Sequence, residues 1–265
     1  MKMSFTIVRV RGIPIKVHIT LLLFLPFLMR ELDPVYGLIM AIGMFTCIAL
    51  HELGHSLVAL RMGCLVREIL LLPIGGVAQM SNAPSRPRDE FFMAAAGPAV
   101  SFLLAAIFFV MGRYIPLKML TEPGYRIVTW LAIANLGWVI FNLIPAFPMD
   151  GGRILRAWLS PFMGRLRATY LASFIGKIIA AGFVIAGWHW HSWSLIFIGL
   201  FVFYAAGQEY RAILMQERPR PSIFGMPIWS SNGMHETRNV DGVTVGPPPY
   251  EDRGQDSSEP PDNDG

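Results

Sequence analysis

Two histidines four positions apart, His51 and His55, stand in the segment His51-Glu52-Leu53-Gly54-His55. On a helix this spacing puts both imidazoles on one face, where they can bind a single cation. Glu52 directly follows the first histidine, and a carboxylate at this position can accept a proton from an attacking water. Ionisable groups at membrane depth are costly and indicate a function. The pattern therefore favours a hydrolytic zinc site over a polar helix end at a membrane surface.

A hydrolytic zinc site needs a third protein ligand and one open coordination position. The best candidate is Asp150, in the segment Asn142-Leu-Ile-Pro-Ala-Phe-Pro-Met-Asp150-Gly-Gly-Arg153. Pro145 and Pro148 break a hydrophobic helix there, and the two glycines let the backbone turn. The carboxylate can then point back toward the histidines.

These segments lie in a chain of 265 residues that is 54% hydrophobic and only 15% charged. A soluble domain of this length normally carries more charge, so the composition predicts a multi-span membrane protein. The first apolar stretch is short and follows several basic residues, as in a signal peptide. It lacks the cleavage pattern of such peptides, so we expect a retained helix. Stretches able to cross a bilayer, at about 20 residues each, are read at residues 17–29, 34–60, 92–111, 127–144, 171–186 and 190–207.

Basic residues divide unevenly between the two sides of the predicted membrane. With the N-terminus inside, the cytoplasmic segments hold seventeen Lys and Arg residues and the outer loops hold four. This bias predicts cytoplasmic N- and C-termini and puts both motifs toward the cytoplasmic side. The excess of basic residues therefore indicates membrane topology. The sequence has no basic patch with interleaved aromatic residues, so we expect no nucleic-acid partner.

The composition changes near residue 208. Residues 208–265 are rich in Pro, Gly and acidic residues, and such a segment cannot bury a core. We expect a transmembrane domain that carries the metal site at 1–207 and a disordered cytoplasmic tail at 208–265.

The two motifs together resemble those of the site-2 protease family of intramembrane metalloproteases. That family carries HExxH on one transmembrane helix and Asn-x-x-Pro-x-x-Pro-x-Asp-Gly on another, and both match here. The resemblance covers roughly residues 5–207, and one departure is Ser101, where many relatives carry Asn. We expect that departure to affect helix packing more than catalysis. Three flanking segments are also similar, namely Gly12-Ile-Pro-Ile-Lys-Val-His18, Pro73-Ile-Gly-Gly-Val-Ala78 and Ala96-Gly97-Pro98.

The resemblance implies one zinc ion (Zn2+) per chain, bound by His51, His55 and Asp150, with Glu52 as general base. Asn142 would hold the substrate backbone or the developing oxyanion. A helix-end cap beside a proline break is the alternative for that side chain. Asn135 is a weaker candidate on the same apolar stretch.

The predicted fold is all-α and polytopic, with about six transmembrane helices and the disordered C-terminal tail. The resemblance adds a short re-entrant β-hairpin within residues 65–80, for which an amphipathic interfacial loop is the alternative. A transmembrane substrate must unwind before hydrolysis, and the edge of a hairpin could pair with the unwound strand. The expected partners are the lipid bilayer and a membrane-anchored protein substrate, in a bacterial inner membrane.

Two other classes of function are weighed against a protease. A metal-ion transporter could use a histidine and carboxylate set, but transporters usually have repeated halves with related broken helices, and no repeat is evident. A proteolytically inactive membrane chaperone would not need the intact glutamate of the first motif. No PDZ-like or CBS module can be read, so we expect a minimal family form, and no pattern indicates an oligomeric state.

The remaining histidines and the cysteines carry weaker signals. His18 opens the first apolar stretch, and His189 and His191 lie in a tryptophan-rich segment that is typical of an interfacial belt. Cys47 and Cys64 are too few for a disulfide framework, and we expect both to be small buried side chains.

Overall fold

The computed structural model describes residues 4–21, 33–72, 75–81, 84, 86–114, 122–217, 238–240 and 243–245. The chain divides into two compact units, Met1–Glu217 and Arg218–Gly265. The elements described in the first unit are β1 (Ser4–Val10), β2 (Ile13–His18), α1 (Pro34–Arg61), β3 (Val66–Leu72), β4 (Gly75–Met80), α2 (Pro87–Tyr114), α3 (Glu122–Asn142), α4 (Asp150–Met163), α5 (Arg165–His189) and α6 (Trp193–Glu217). In the second unit β5 (Arg238–Val240) pairs antiparallel with β6 (Val243–Val245).

Four helices, α1, α2, α3 and α5, are long and apolar enough to cross a membrane. They match four of the predicted spans, and the span at 190–207 overlaps α6, a helix of 25 residues. Large apolar side chains such as Phe109 and Ile185 point outward and are more than half exposed. On helices of this length and hydropathy, exposed apolar faces are typical of surfaces that contact lipid.

The prediction for residues 17–29 is wrong at its start, because that stretch begins inside strand β2. β2 pairs antiparallel with β1 and parallel with β3, in the sheet order β1-β2-β3-β4. Alternate side chains of β2, Ile13 and Ile15, are buried in one cluster with Phe45 of α1. The all-α prediction therefore fails for the N-terminal segment, where a period of two outweighs overall apolarity. Residues 22–29 of the predicted span lie outside the described residues.

The predicted hairpin at residues 65–80 is confirmed as a pair of antiparallel strands, β3 and β4. It follows α1 directly, since Gly63 has a positive φ of 79° that ends the helical path and reverses the chain. β4 is the last strand in the sheet order, so one of its edges has no strand partner among the described residues.

Small side chains let α5 and α6 approach closely. Ala172, Gly176 and Ala180 lie on the buried face of α5, and Ala206 of α6 is fully buried. A Cβ added at Gly176 would lie 3.2 Å from the Ala206 methyl group. Small residues at helix interfaces are typical of helices that associate in membranes. α6 runs on to Glu217, beyond residue 207, and the division at 207 stays a prediction.

Candidate metal centre

The two imidazoles of α1 project from one face of the helix and are buried. Their Nε2 atoms lie 3.2 Å apart, and their other ring nitrogens contact α2. His55 Nδ1 donates to the Met93 carbonyl oxygen at 2.7 Å, and His51 Nδ1 lies 2.8 Å from Ser101 Oγ. A carbonyl oxygen only accepts, so the proton of a neutral His55 sits on Nδ1 and leaves the Nε2 lone pair free for a cation.

Asp150 brings the third ligand atom from a separate element, the first residue of α4. Its Oδ2 lies 3.3 Å from His51 Nε2 and 3.1 Å from His55 Nε2. Ligand atoms of the three residues all fall within 4.8 Å of one another. The structure thus brings together the three residues that the sequence analysis named as ligands.

The carboxyl group of Asp150 is held in its charged form. Burial raises its pKa, but in the metal-free site hydrogen bonds from His51 and from the cationic form of His55 outweigh burial and hold the pKa well below the ordinary aspartate value. Asp150 is therefore an anion throughout the neutral pH range, as a metal ligand must be.

Gly97 of α2 leaves room for the two imidazoles where their Nε2 atoms meet. A Cβ added at Gly97 would overlap His55 Nε2 and would lie 2.6 Å from His51 Nε2. Two imidazoles and one carboxylate form the donor set of many hydrolytic zinc sites, which keep a fourth position open. Both the donor chemistry and the clearance at Gly97 fit zinc.

Glu52 follows His51 on α1 and reaches toward strand β4. A Cβ added at Gly76 of β4 would lie 3.1 Å from Cδ and 3.3 Å from Oε1 of Glu52. The missing side chain at Gly76 therefore makes room for the carboxylate. Glu52 and Gly76 both border the cavity that contains the three candidate ligands.

That cavity has a volume of about 640 Å³ and is shared by the sheet and four helices. Asn142, the last residue of α3, lines it, whereas Asn135 is fully buried and donates from Nδ2 to the Leu131 carbonyl oxygen at 2.8 Å. The lining residues are Met44, Ile48, His51, Glu52, His55, Gly75, Gly76, Val77, Ala78, Met80, Met93, Trp138, Phe141, Asn142, Pro148, Asp150 and Arg153.

The supporting residues of α2 are the part of the site that the sequence analysis missed. Ser101 was expected to act in helix packing, yet its hydroxyl contacts a ring nitrogen of His51. Gly97 lies in the family-like segment Ala96-Gly97-Pro98, and Ser101 is four residues further on, one helical turn away. His18, His189 and His191 are not part of the metal-binding group found among the described residues.

The loop before α4 packs tightly around the first turn of that helix. A Cβ added at Gly152 would lie 2.6 Å from both the Ala146 carbonyl carbon and the Phe147 nitrogen. These are backbone atoms, which cannot move aside cheaply. We expect Gly152→Ala to lower the free energy of unfolding by about 1–3 kcal/mol.

Thermal unfolding in detergent, followed by circular dichroism, measures the effect of Gly152→Ala. Gly137→Ala is the matched control, because a Cβ at Gly137 of α3 meets nothing within 4 Å. Equal unfolding midpoints for the two variants would contradict the close approach at Gly152.

The family model of peptidase family M50 matches residues 39–124 and 118–185 of this chain. Among solved structures, the site-2 protease from Methanocaldococcus jannaschii is similar, with a TM-score of 0.61 and 40% sequence identity. That match covers 78% of this chain and 95% of the solved one.

Two curated relatives carry zinc metalloprotease in their names. A zinc metalloprotease of Methanocaldococcus jannaschii is 39% identical over 216 residues, which is 80% of this chain and 62% of the relative. A relative from Synechocystis sp. is 35% identical over 196 residues, or 69% of this chain and 50% of the relative. The chain thus spans between half and two thirds of the length of these two relatives. With four apolar helices of membrane-spanning length, the chain is a membrane protein that belongs to peptidase family M50, the site-2 protease family.

Proposed function

We propose that this chain is an intramembrane zinc endopeptidase that hydrolyses peptide bonds in or near the transmembrane segments of membrane-anchored proteins. One observation carries the proposal. His51, His55 and Asp150 converge within 4.8 Å, and Glu52 shares their cavity. Ligands, a proton acceptor and an open space for substrate are the parts that zinc-dependent hydrolysis needs.

His51, His55 and Asp150 would hold one zinc ion through two Nε2 atoms and Oδ2. Zinc bound there would polarise the scissile carbonyl as a Lewis acid and would lower the pKa of water enough to supply a nucleophile at neutral pH. The Nδ1 contacts to Ser101 and Met93 orient the two imidazoles, and the Met93 carbonyl also fixes the tautomer of a neutral His55. α2 thereby sets the direction in which both Nε2 atoms point.

Glu52 would act as the general base. Its carboxylate takes a proton from the attacking water and returns it to the leaving amine. The carboxylate lies at the cavity wall beside β4, where the missing side chain of Gly76 leaves room for it. Asn142 would donate its amide hydrogens to the substrate backbone or to the developing oxyanion from the opposite helix, α3.

Strand β4 would hold the substrate. A transmembrane helix hides its peptide bonds in internal hydrogen bonds, so the segment to be cut must first become extended. β4 borders the cavity through Gly75, Gly76 and Val77, and it ends the sheet order. An extended segment could add to its edge as a further strand. Trp138 and Phe141 of α3 line the cavity as well and would contact apolar substrate side chains.

The membrane arrangement is also part of the proposal. Six transmembrane helices with both termini in the cytoplasm would agree with the seventeen basic residues on that side and four on the other. The protein would then lie in a bacterial inner membrane, with residues 1–207 as the membrane domain and 208–265 as a cytoplasmic tail. The metal site would open toward the cytoplasm, which supplies the water for hydrolysis.

The purified protein, reconstituted in liposomes with a single-span candidate substrate, tests the function. We expect new substrate fragments that disappear when a zinc chelator is added and return when zinc replaces the chelated metal. Mass spectrometry should locate the cut in or beside the transmembrane segment. Metal flux across the liposome membrane without any cleavage would instead support a transporter.

A further inference from the structure

A buried ion pair joins the helix that supports the histidines to the helix that carries Asp150. Arg156 of α4 and Glu90 of α2 are 4% and 5% exposed. Arg156 donates from Nε to Glu90 Oε1 at 2.7 Å, and its Nη2 forms a second, short hydrogen bond to the same oxygen. Removing one partner of such a pair leaves an uncompensated buried charge, so the two residues depend on each other.

Glu90 lies on the same face of α2 as the groups that contact the imidazoles. Met93, Gly97 and Ser101 follow it at steps of three or four residues, and all four are buried. This spacing lines them up along one stripe of a helix. Arg156 therefore binds Glu90 at one end of the row of α2 residues whose other members contact both histidines.

Arg156 also contacts the loop that delivers Asp150. Its guanidinium lies over the Phe147 ring, 4.8 Å from the centroid, and Phe147 is almost fully buried. The Phe147 amide donates to the Ala172 carbonyl oxygen of α5 at 3.4 Å. This side chain of α4 thus contacts α2 and also Phe147, which lies in the loop three residues before Asp150.

The metal site needs such a connection because its ligands come from separate elements. His51 and His55 are positioned by α1 and α2, whereas Asp150 moves with α4 and the loop packed on α5. A metal site tolerates ligand distances within about 0.2 Å of the ideal. A small shift of α4 along α2 would carry the Asp150 carboxylate out of that range.

We propose that the Glu90–Arg156 pair is a positioning device, which fixes the register of α4 on α2 and so places the Asp150 carboxylate against both imidazoles. This rests on the proposed function, in which Asp150 is a zinc ligand. Neither Glu90 nor Arg156 lines the cavity that contains the candidate ligands. The pair holds the Asp150 carboxylate in position for metal binding.

Glu209 of α6 provides an internal control. It accepts a single hydrogen bond from Arg156 Nη1 at 3.2 Å, and its side chain is 31% exposed. A partly exposed charge contributes little to holding a helix in place. α6 also contributes no ligand to the metal group.

Zinc affinity of the full-length protein in detergent tests the proposal. The apo protein is titrated with zinc against a chromophoric chelator, and the cobalt-substituted protein is examined by visible absorption. We expect Glu90→Gln and Arg156→Lys each to raise the zinc dissociation constant about 10- to 100-fold. The double variant should lose little more than either single one, since both break one interaction. Glu209→Gln should stay within about twofold of the wild type.

The cobalt spectrum separates positioning from general loss of structure. A variant that keeps wild-type helix content but has an altered ligand-field spectrum has a displaced ligand, as the proposal requires. Wild-type affinity and spectrum in folded Glu90→Gln and Arg156→Lys would overturn it. So would an equal loss in Glu209→Gln, or failure of both variants to fold, which would assign the pair to folding alone. If the wild type binds no zinc, the proposed function fails instead.

Discussion

Glu52→Gln should leave zinc bound and lower the rate of substrate cleavage by about 100- to 10,000-fold. Glutamine has the shape of glutamate, so it can occupy the same place beside Gly76. It cannot accept a proton from the attacking water at neutral pH, and the general-base step is lost. Because the three ligands are untouched, zinc content and the unfolding midpoint should match those of the wild type.

Glu68→Gln is the matched control for Glu52→Gln. Glu68 of β3 makes an ion pair with Lys16 of β2 at 2.5 Å and does not line the cavity. A partly exposed pair of this kind contributes about 0–1 kcal/mol, so cleavage by Glu68→Gln should remain near the wild-type rate. Cleavage by Glu52→Gln at the rate of the control would remove the general-base assignment while leaving the metal site in place.

The ionisable residues of the site can be predicted from sequence because local spacing defines them. His51 and His55 share a helix face, and Asp150 stands where two prolines interrupt an apolar stretch. Their supports have no local signature. Ser101 contacts His51 from 50 residues away, and Arg156 meets Glu90 from 66 residues away. Such contacts depend on how helices pack, and the spacing of residues along a single sequence carries no sign of that packing.

The fold, too, is predictable where local properties of the sequence determine it and not where contacts between distant residues do. Long apolar stretches predict α1, α2, α3 and α5, since length and hydropathy are local properties. Strand β2 is not predicted, and its last two residues fall in the predicted span at 17–29, because its parallel partner β3 lies some fifty residues away. The alternation of Ile13, Ile15 and Val17 is the signal that could have identified it. The apolar stretch that begins at Val17, the last residue of this alternation, hides it.

Gly97→Ala should weaken zinc binding and cleavage together, with a loss of activity of about 100-fold or more. The added methyl group would occupy the space against both Nε2 atoms, 2.6 Å from that of His51. At least one imidazole must then shift by an amount comparable to an atomic radius, and the Nδ1 contacts to Met93 and Ser101 would be strained. A misplacement of about 1 Å in a reacting geometry can cost 100-fold in rate.

The helix propensity of alanine separates a displaced imidazole from a weakened α2 as the cause of lost activity in Gly97→Ala. Alanine favours a helix over glycine by about 1 kcal/mol, so any loss of function cannot be attributed to a weaker helix. Gly182→Ala in α5 is the control, since a Cβ there meets nothing within 4 Å. Zinc content by atomic absorption should fall in Gly97→Ala and stay at one ion per chain in the control. Full zinc content in Gly97→Ala would mean that the ion sits away from Gly97, and the arrangement of ligands proposed above would have to be revised.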